Sequence, residues 1–376
     1  MVNVLYICND WEKLEGSSIS LSHMIDSLGN NINPIVLISR KGDVYEHFSK
    51  KGVECIIYPF YYLWIRENAF KYYYKYFRYY RSYIKTDKVC VEYVKTVLQG
   101  RRIDIVHSNS TIITIGKDIA RALGAKHIWH IREFLDIGFP FRVLGGVKRV
   151  NRLLKKADAR IFISKQIQDH KAINNLNSYV IWNAIMKLAD SCLVLPKEKY
   201  FLNCSAHLGD YKNTHVAVEA FGLSALHKEG FRLKLIGDYT PEYEQRLKSI
   251  ADRYDCWSNI DLLGYQSDLK SYFSKATAFI MCSEIEGLGR VTVEAMFYGC
   301  PVIAAAAGGT LDFVRHNDNG LLYHSANECA DLMQKIADNL PTEIIRNAQS
   351  FAMDNFSEEN YGNKILEVYE HVLRES

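Results

Sequence analysis

At 376 residues the chain is longer than one ordinary domain, so two domains are the first expectation. Hydrophobic residues make up 48% and charged residues 24%, the balance of a globular protein with a packed core. A formal net charge of +3 is too small to argue for a nucleic-acid partner, and no apolar run reaches the roughly 20 residues of a membrane-spanning helix. The nine cysteines are scattered singly, with no CxxC pair and no Cys/His cluster at zinc spacing. Buried, reduced thiols and a cytoplasmic setting are expected. The opening apolar run meets Asn9 and Asp10 too early for a secretory signal.

In chain order, residues 2–8 predict a buried strand, 9–18 a polar loop carrying Gly16, and 19–28 a helix. Strands at 34–38 and 53–57 flank a helix near 43–51, and further strands are predicted at 103–107, 127–131, 159–163 and 179–181. Short apolar strands alternating with helices indicate a parallel α/β sheet, whose ligands bind beyond the carboxyl ends of the strands. Gly16 stands in such a place after the first strand. The stretch 183–200 is polar and reads as a hinge. The alternation then restarts, with strands predicted at 201–206, 233–236, 260–263, 278–281, 301–305 and 320–323. The tail from Ser357 reads as a helix with Glu358 and Glu359 in its first turn. The boundaries expected are therefore 1–185, 186–356 and a final helix over 357–376 that packs back on the first domain.

Residues 60–88 stand apart, because tyrosines, phenylalanines and Trp64 interleave with basic residues from Arg66 to Lys88, opposed only by Glu67 and Asp87. On a helix, that mixture suits an anionic membrane surface. A core-packing helix whose long basic side chains cover apolar surface, or a stacking platform for single-stranded nucleic acid, uses the same residues. We take membrane-surface contact without nucleic acid as the expectation.

The richest stretch is 282–309. A buried strand at 278–282 leads into a turn with Glu286, Gly287, Leu288 and Gly289; a helix follows from Arg290 through Glu294 to Gly299, then a strand at 301–305 and Gly308-Gly309. The helix start offers unpaired N–H groups and the positive dipole end, where a phosphate can sit. Glycines allow close backbone approach. Carboxylates beside a phosphate belong with neutral hydroxyls instead, and a carboxylate accepts from two at once. A diphosphate flanked by sugar-like groups is the implied ligand.

Within EGLGRVTVEAMFYGCPVIA, Glu286 and Glu294 resemble the glutamate-x7-glutamate motif of retaining GT-B glycosyltransferases, more narrowly family 4, the glycosyl transferases of group 1. The weaker matches Ile103-Asp-Ile-Val-His107, Ile181-Trp-Asn183 and Leu235-Ile-Gly237 extend the resemblance over most of the chain. It implies an α/β GT-B fold of two Rossmann-like doubly wound domains facing across a cleft, the first taking the acceptor and the second the donor. Glu294 would accept the donor's ribose hydroxyls, Glu286 would hold its sugar, and backbone amides of residues 287–290 would meet the diphosphate. Lys212 fits the family's phosphate-binding lysine, whereas His207, or Ala206, stands where an arginine is usual; a neutral histidine stabilises a leaving phosphate less than arginine does. Arg290 is a possible compensation. By the same resemblance Gly16 lies over the diphosphate, His130 near the reacting sugar, Arg132 beside the acceptor, and the turn at Leu263-Gly264-Tyr265 near the base.

The implied reaction is metal- and cofactor-free transfer of a sugar, UDP-linked as the commonest case, to a glycan or lipid-linked acceptor during polysaccharide synthesis. Glu286, Lys212 and His130 are its catalytic candidates. No Asp-x-Asp occurs in the chain. Three other readings stay open. One is a nucleotide-sugar 2-epimerase, and another a degenerate GT-B domain that binds a glycan or partner. In the third, Glu286 and Glu294 are the acid/base pair of a hydrolase, against which the glycine turn and the phosphate-ready helix argue.

Overall fold

The computed structural model describes residues 1–62, 64–66, 73–135, 137, 141–143, 145–173, 177–286 and 288–375, with backbone alone at 64–66, 73–79 and 141–142. Two compact units result: Met1–Ala184 with Glu358–Ser376, and Ile185–Ser357.

In the first unit the chain runs β1 (Val2–Ile7), α1 (Gly16–Leu28), β2 (Ile32–Ile38), α2 (Asp43–Lys50), β3 (Glu54–Ile57), β4 (Trp64–Arg66) and α3 (Tyr73–Val97). It continues through β5 (Ile105–Ser108), α4 (Gly116–Leu123), β6 (Lys126–Ile131), β7 (Phe141–Val143), α5 (Val147–Leu154), β8 (Ala159–Phe162), α6 (Lys165–Lys171) and β9 (Ser178–Val180). Seven strands form a parallel sheet in the order β3-β2-β1-β5-β6-β8-β9, while β4 and β7 pair separately and antiparallel. The central strands are covered on both faces, which is why they read as unbroken apolar runs. Val4 and Tyr6 of β1 pack with α1, whereas Leu5 and Ile7 face Cys90 and Val94 of α3, Leu98 just after it and Ile119 of α4.

The second unit repeats the scheme with β10 (Tyr200–His207), α7 (Thr214–Ser224), β11 (Arg232–Asp238), α8 (Pro241–Asp252), β12 (Ile260–Leu262) and α9 (Lys270–Lys275). Then follow β13 (Ala278–Met281), α10 (Arg290–Phe297), β14 (Val302–Ala305), β15 (Leu321–Tyr323), α11 (Ala326–Asp338) and α12 (Thr342–Phe356). Its six parallel strands are ordered β12-β11-β10-β13-β14-β15. In both sheets the order reverses beside the first strand, between β1 and β5 and between β10 and β13. Open α/β sheets bind ligands outside the carboxyl ends of the strands at that reversal.

The last helix, α13 (Glu358–Arg374), belongs to the first unit. Its Tyr361, Ile365, Val368, Tyr369 and Val372 join Leu21, Met24 and Ile25 of α1 in one apolar cluster. The helices approach so closely at Gly362 that a Cβ there would stand 2.3 Å from the Ser27 carbonyl oxygen. Glu358 meets His23 across the same seam.

One expectation needs correction. Gly16 is not in a loop; it is the first residue of α1, which starts three residues earlier than the sequence pattern suggests. The cause is local capping: Asp10 accepts from the Ser18 amide at 3.0 Å and from the Ser17 hydroxyl at 2.5 Å, and Ser18 accepts from the Glu15 amide at 2.8 Å. Of the aromatic-basic stretch, residues 63 and 67–72 lie outside the described residues, and α3 runs on past Lys88 to Val97. Within it Tyr83 is buried against Thr114, and Arg149 lies 5.3 Å from the ring centre of Tyr80. Arg81, Lys85, Lys88 and Val89 are exposed. Among the described residues no helix is long and apolar enough to cross a membrane.

Candidate functional site

The second unit's site is built on the fully buried β13, which delivers the chain into the loop before α10. Gly289, the residue before α10, has φ +81°, and a Cβ on it would lie 3.1 Å from Thr310 Oγ1 and 3.2 Å from Met281 Cε. Gly308 has φ +63°, and a Cβ there would come within 2.8 Å of the Glu284 carbonyl oxygen and 3.0 Å of the Glu286 nitrogen. Both positions favour glycine for backbone conformation, and at Gly308 the nearby Glu284 backbone demands it for space as well. The Gly309 amide donates to the Glu286 carbonyl at 2.8 Å, so the two glycine turns are locked together.

This lock sets the carboxylates. Lys212, in the turn between β10 and α7, donates from Nζ to Glu286 Oε1 at 2.5 Å. One turn inside α10, Arg290 Nη2 reaches Glu294 Oε1 at 3.3 Å. All four side chains are largely but not wholly covered. Lys212 and Glu286 come from the two loops that follow β10 and β13, the strands flanking the order reversal, 74 residues apart in sequence. The first turn of α10 adds the positive end of a helix, with its Thr292 amide held by the Gly289 carbonyl at 2.9 Å. Two cations, two carboxylates and a positive helix end thus lie at one end of one sheet.

The remaining donor candidates are placed less uniformly. Leu288 is buried, and Gly287 lies outside the described residues. His207 ends β10 with a largely exposed ring, and its charged neighbour is Asp238, 3.8 Å away. Tyr265 is 59% exposed, and the adjacent Gly264 carbonyl accepts from the Gly237 amide at 2.9 Å. The sequence does not single out the buried hydroxyls of Ser283, Thr292 and Thr310, which have no hydrogen-bond partner among the described residues. Gly308-Gly309 was legible as a turn, but nothing in the sequence says that it packs on residues 284–286.

The first unit gathers its candidates around the ends of β1, β5 and β6. Gly16 opens α1, whose amide at Ser18 is already taken by Asp10; burial raises the Asp10 carboxyl pKa above its ordinary value. His130, on β6, is fully buried and contacts His107 Nε2 through Nδ1 at 3.2 Å. Burial, with the neighbouring Arg132 charge second, holds its pKa well below the ordinary imidazole value, so the ring is neutral. Arg132 is 7% exposed, and its guanidinium binds the Asn109 carbonyl at 2.8 Å, Asn109 Oδ1 at 2.8 Å and Asn183 Oδ1 at 2.7 Å. That geometry makes Arg132 a tie between the loops after β5 and β9. Glu133 adds a second tie by accepting from Ser110 and the Thr111 amide.

Two reversing parallel sheets, each carrying polar groups at its carboxyl ends, define the GT-B class of glycosyltransferase fold. Anabaena HepE, solved in complex with UDP-glucose, has this fold: the match has a TM-score of 0.77 at 18% identity and covers 99% of this chain and 100% of that one. Residues 190–351, most of the second unit, match the family model of the glycosyl transferases group 1. An uncharacterized glycosyltransferase of Haemophilus influenzae is 27% identical over 199 residues, 51% of this chain and 55% of that protein. The poly(glycerol-phosphate) alpha-glucosyltransferase of Bacillus subtilis is 30% identical over 167 residues, 43% of this chain and 24% of that protein. The chain thus aligns with about half or less of the length of these two relatives.

Proposed function

We propose that the protein moves a sugar from a nucleotide-sugar donor, UDP-linked, to a hydroxyl of a glycan or lipid-linked saccharide, with retention of anomeric configuration. The observation that carries this reading is the Lys212–Glu286 pair at the sheet reversal beside the start of α10. Transfer breaks a C1–O bond to phosphate, so the main electrostatic demand is a growing negative charge on the departing diphosphate. Lys212, Arg290 and the α10 N-terminus meet that demand. One of the three Lys212 N–H donors is used by Glu286, leaving two for phosphate oxygens. Glu286 holds sugar hydroxyls beside the same lysine, and Glu294 holds the ribose. His130 is the candidate partner of a hydroxyl of the reacting sugar. The departing phosphate takes the acceptor's proton on the face it leaves, which preserves configuration without a protein nucleophile. HepE, solved with UDP-glucose, and the Bacillus alpha-glucosyltransferase support the choice of a nucleotide-linked hexose. Polysaccharide assembly at the inner membrane face, with the exposed basic residues of α3 against anionic lipid, completes the proposal.

A thermal-shift screen of UDP-, GDP- and ADP-sugars tests it, because a true donor binds only the folded state and raises its Tm. The selected donor should release nucleoside diphosphate only when a saccharide acceptor is present. Conversion of the donor without an acceptor would identify an epimerase instead, and no Tm shift with any of these sugars would remove the enzymatic reading.

A further inference from the structure

Four fully buried polar rings run through the first unit: Tyr6 on β1, Tyr369 on α13, His107 on β5 and His130 on β6. The Tyr369 hydroxyl donates to the Tyr6 oxygen at 3.1 Å. A hydroxyl has one hydrogen, so the 2.7 Å contact between Tyr369 and His107 Nδ1 requires the ring nitrogen to donate. Burial, then the Arg132 charge, keeps both His107 and His130 neutral, with one ring proton each. With its proton on Nδ1, His107 can only accept at Nε2. Its 3.2 Å contact there fixes the His130 proton on Nδ1 in turn. His130 Nε2 is left as a bare lone pair, buried and without a partner among the described residues.

We propose that Tyr369 and His107 are positioning residues that lock His130 in its Nδ1–H tautomer, so that Nε2 accepts a hydrogen bond from a substrate sugar hydroxyl and cannot donate one. The catalytic half of this inference rests on the reading of His130 as the sugar-side group; the tautomer lock does not. The last helix of the chain then has a chemical task besides packing, since it carries the hydroxyl that starts the relay. Replacing Tyr369 by Phe leaves His107 Nδ1 facing a ring edge with nothing to accept its proton. Moving that proton to Nε2 keeps the bond to His130 but reverses it, and His130 becomes an Nε2–H donor. Tyr6→Phe acts one step earlier, by freeing the Tyr369 hydrogen to point at His107.

The test is histidine 15N NMR on the full chain, with His130 assigned from the resonances lost in His130→Gln. The wild type should show His130 protonated at Nδ1 and bare at Nε2, and Tyr369→Phe and Tyr6→Phe should each shift it toward the Nε2–H form. A wild-type ring protonated at Nε2, or a tautomer unchanged in the two folded variants, overturns the lock. Turnover with the donor found by the thermal-shift screen tests the catalytic half. Tyr369→Phe should lower kcat about 5-fold, the worth of one neutral hydrogen bond, with KM unchanged. It should cost nothing further in a His130→Ala background. A tautomer that shifts while kcat stays constant overturns the catalytic half and removes His130 from the sugar chemistry, with the lock intact.

Discussion

At the scale of single residues, the two carboxylates of the second unit should separate by function. Glu294 sits inside α10 with Arg290 as its cation, and losing the proposed hydrogen bonds to a ribose would cost about 2 kcal/mol, so Glu294→Ala should weaken UDP binding on the order of 30-fold by calorimetry. Glu286→Ala should leave UDP affinity within about 3-fold and lower kcat instead, because its proposed partner is the donor sugar. Equal, small effects of both substitutions would show that the site lies elsewhere. Lys212→Ala should cost about 100-fold in kcat, as loss of a charge-stabilising donor does. Its stability cost should stay near 1 kcal/mol or below, the usual worth of a part-exposed ion pair. Lys212 shows what the sequence could and could not convey: its residue type suited a phosphate, but the Glu286 partner 74 positions away could not be read from either neighbourhood. Arg132 marks the opposite limit, since a basic residue after a strand looks free until Asn109 and Asn183 are seen to take its guanidinium.

At the scale of elements, legibility followed burial. Strands such as β1, β13 and β14 are covered on both faces and stand out as apolar runs. The start of α1 did not stand out, because its buried side contains Ser18, Ser20 and Ser22, and its cap depends on Asp10 folding back across the loop. The strand pair β4–β7, three residues each, is too short for any periodic signal. On α3, Asp87 offers a pH test. Its carboxyl accepts from the Tyr61 amide at 3.3 Å, but burial raises its pKa to about 7, helped by Asp118 and opposed by that amide, Tyr83 and Arg149. The unfolded value is about 4. Between these values the native state binds more protons than the unfolded chain, so the contribution of Asp87 to stability is full below about pH 4 and is lost as pH rises through 7. Asp87→Asn should therefore gain Tm relative to the wild type from pH 5 to pH 8. Parallel Tm curves over that range would show that Asp87 is not buried in this way.

At the scale of the whole molecule, the alternation of strands and helices announced the α/β class, whereas the strand order did not follow from it. Hydrophobic pattern states that a strand is buried, not which strand it adjoins. Yet the order decides function, because its reversal at β10 and β13 brings the loops carrying Lys212 and Glu286 to one place. Hydrogen exchange with and without UDP should map that placement. Local opening governs exchange of loop amides, and a ligand that binds only the closed loop suppresses it. Protection is expected at residues 284–292 and 308–312, whose turns are already joined through the Gly309 amide and the Glu286 carbonyl, and at 207–213 around Lys212. The apolar strands beneath exchange slowly in either state and should show little difference. Gly308→Ala provides the control: a Cβ at φ +63°, 2.8 Å from the Glu284 oxygen, should destabilise the turn by about 2 kcal/mol. UDP-dependent protection should then fall at 284–292 as well as at 308–312. If it survives at 284–292, the two turns are not coupled and the lock on Glu286 is wrong.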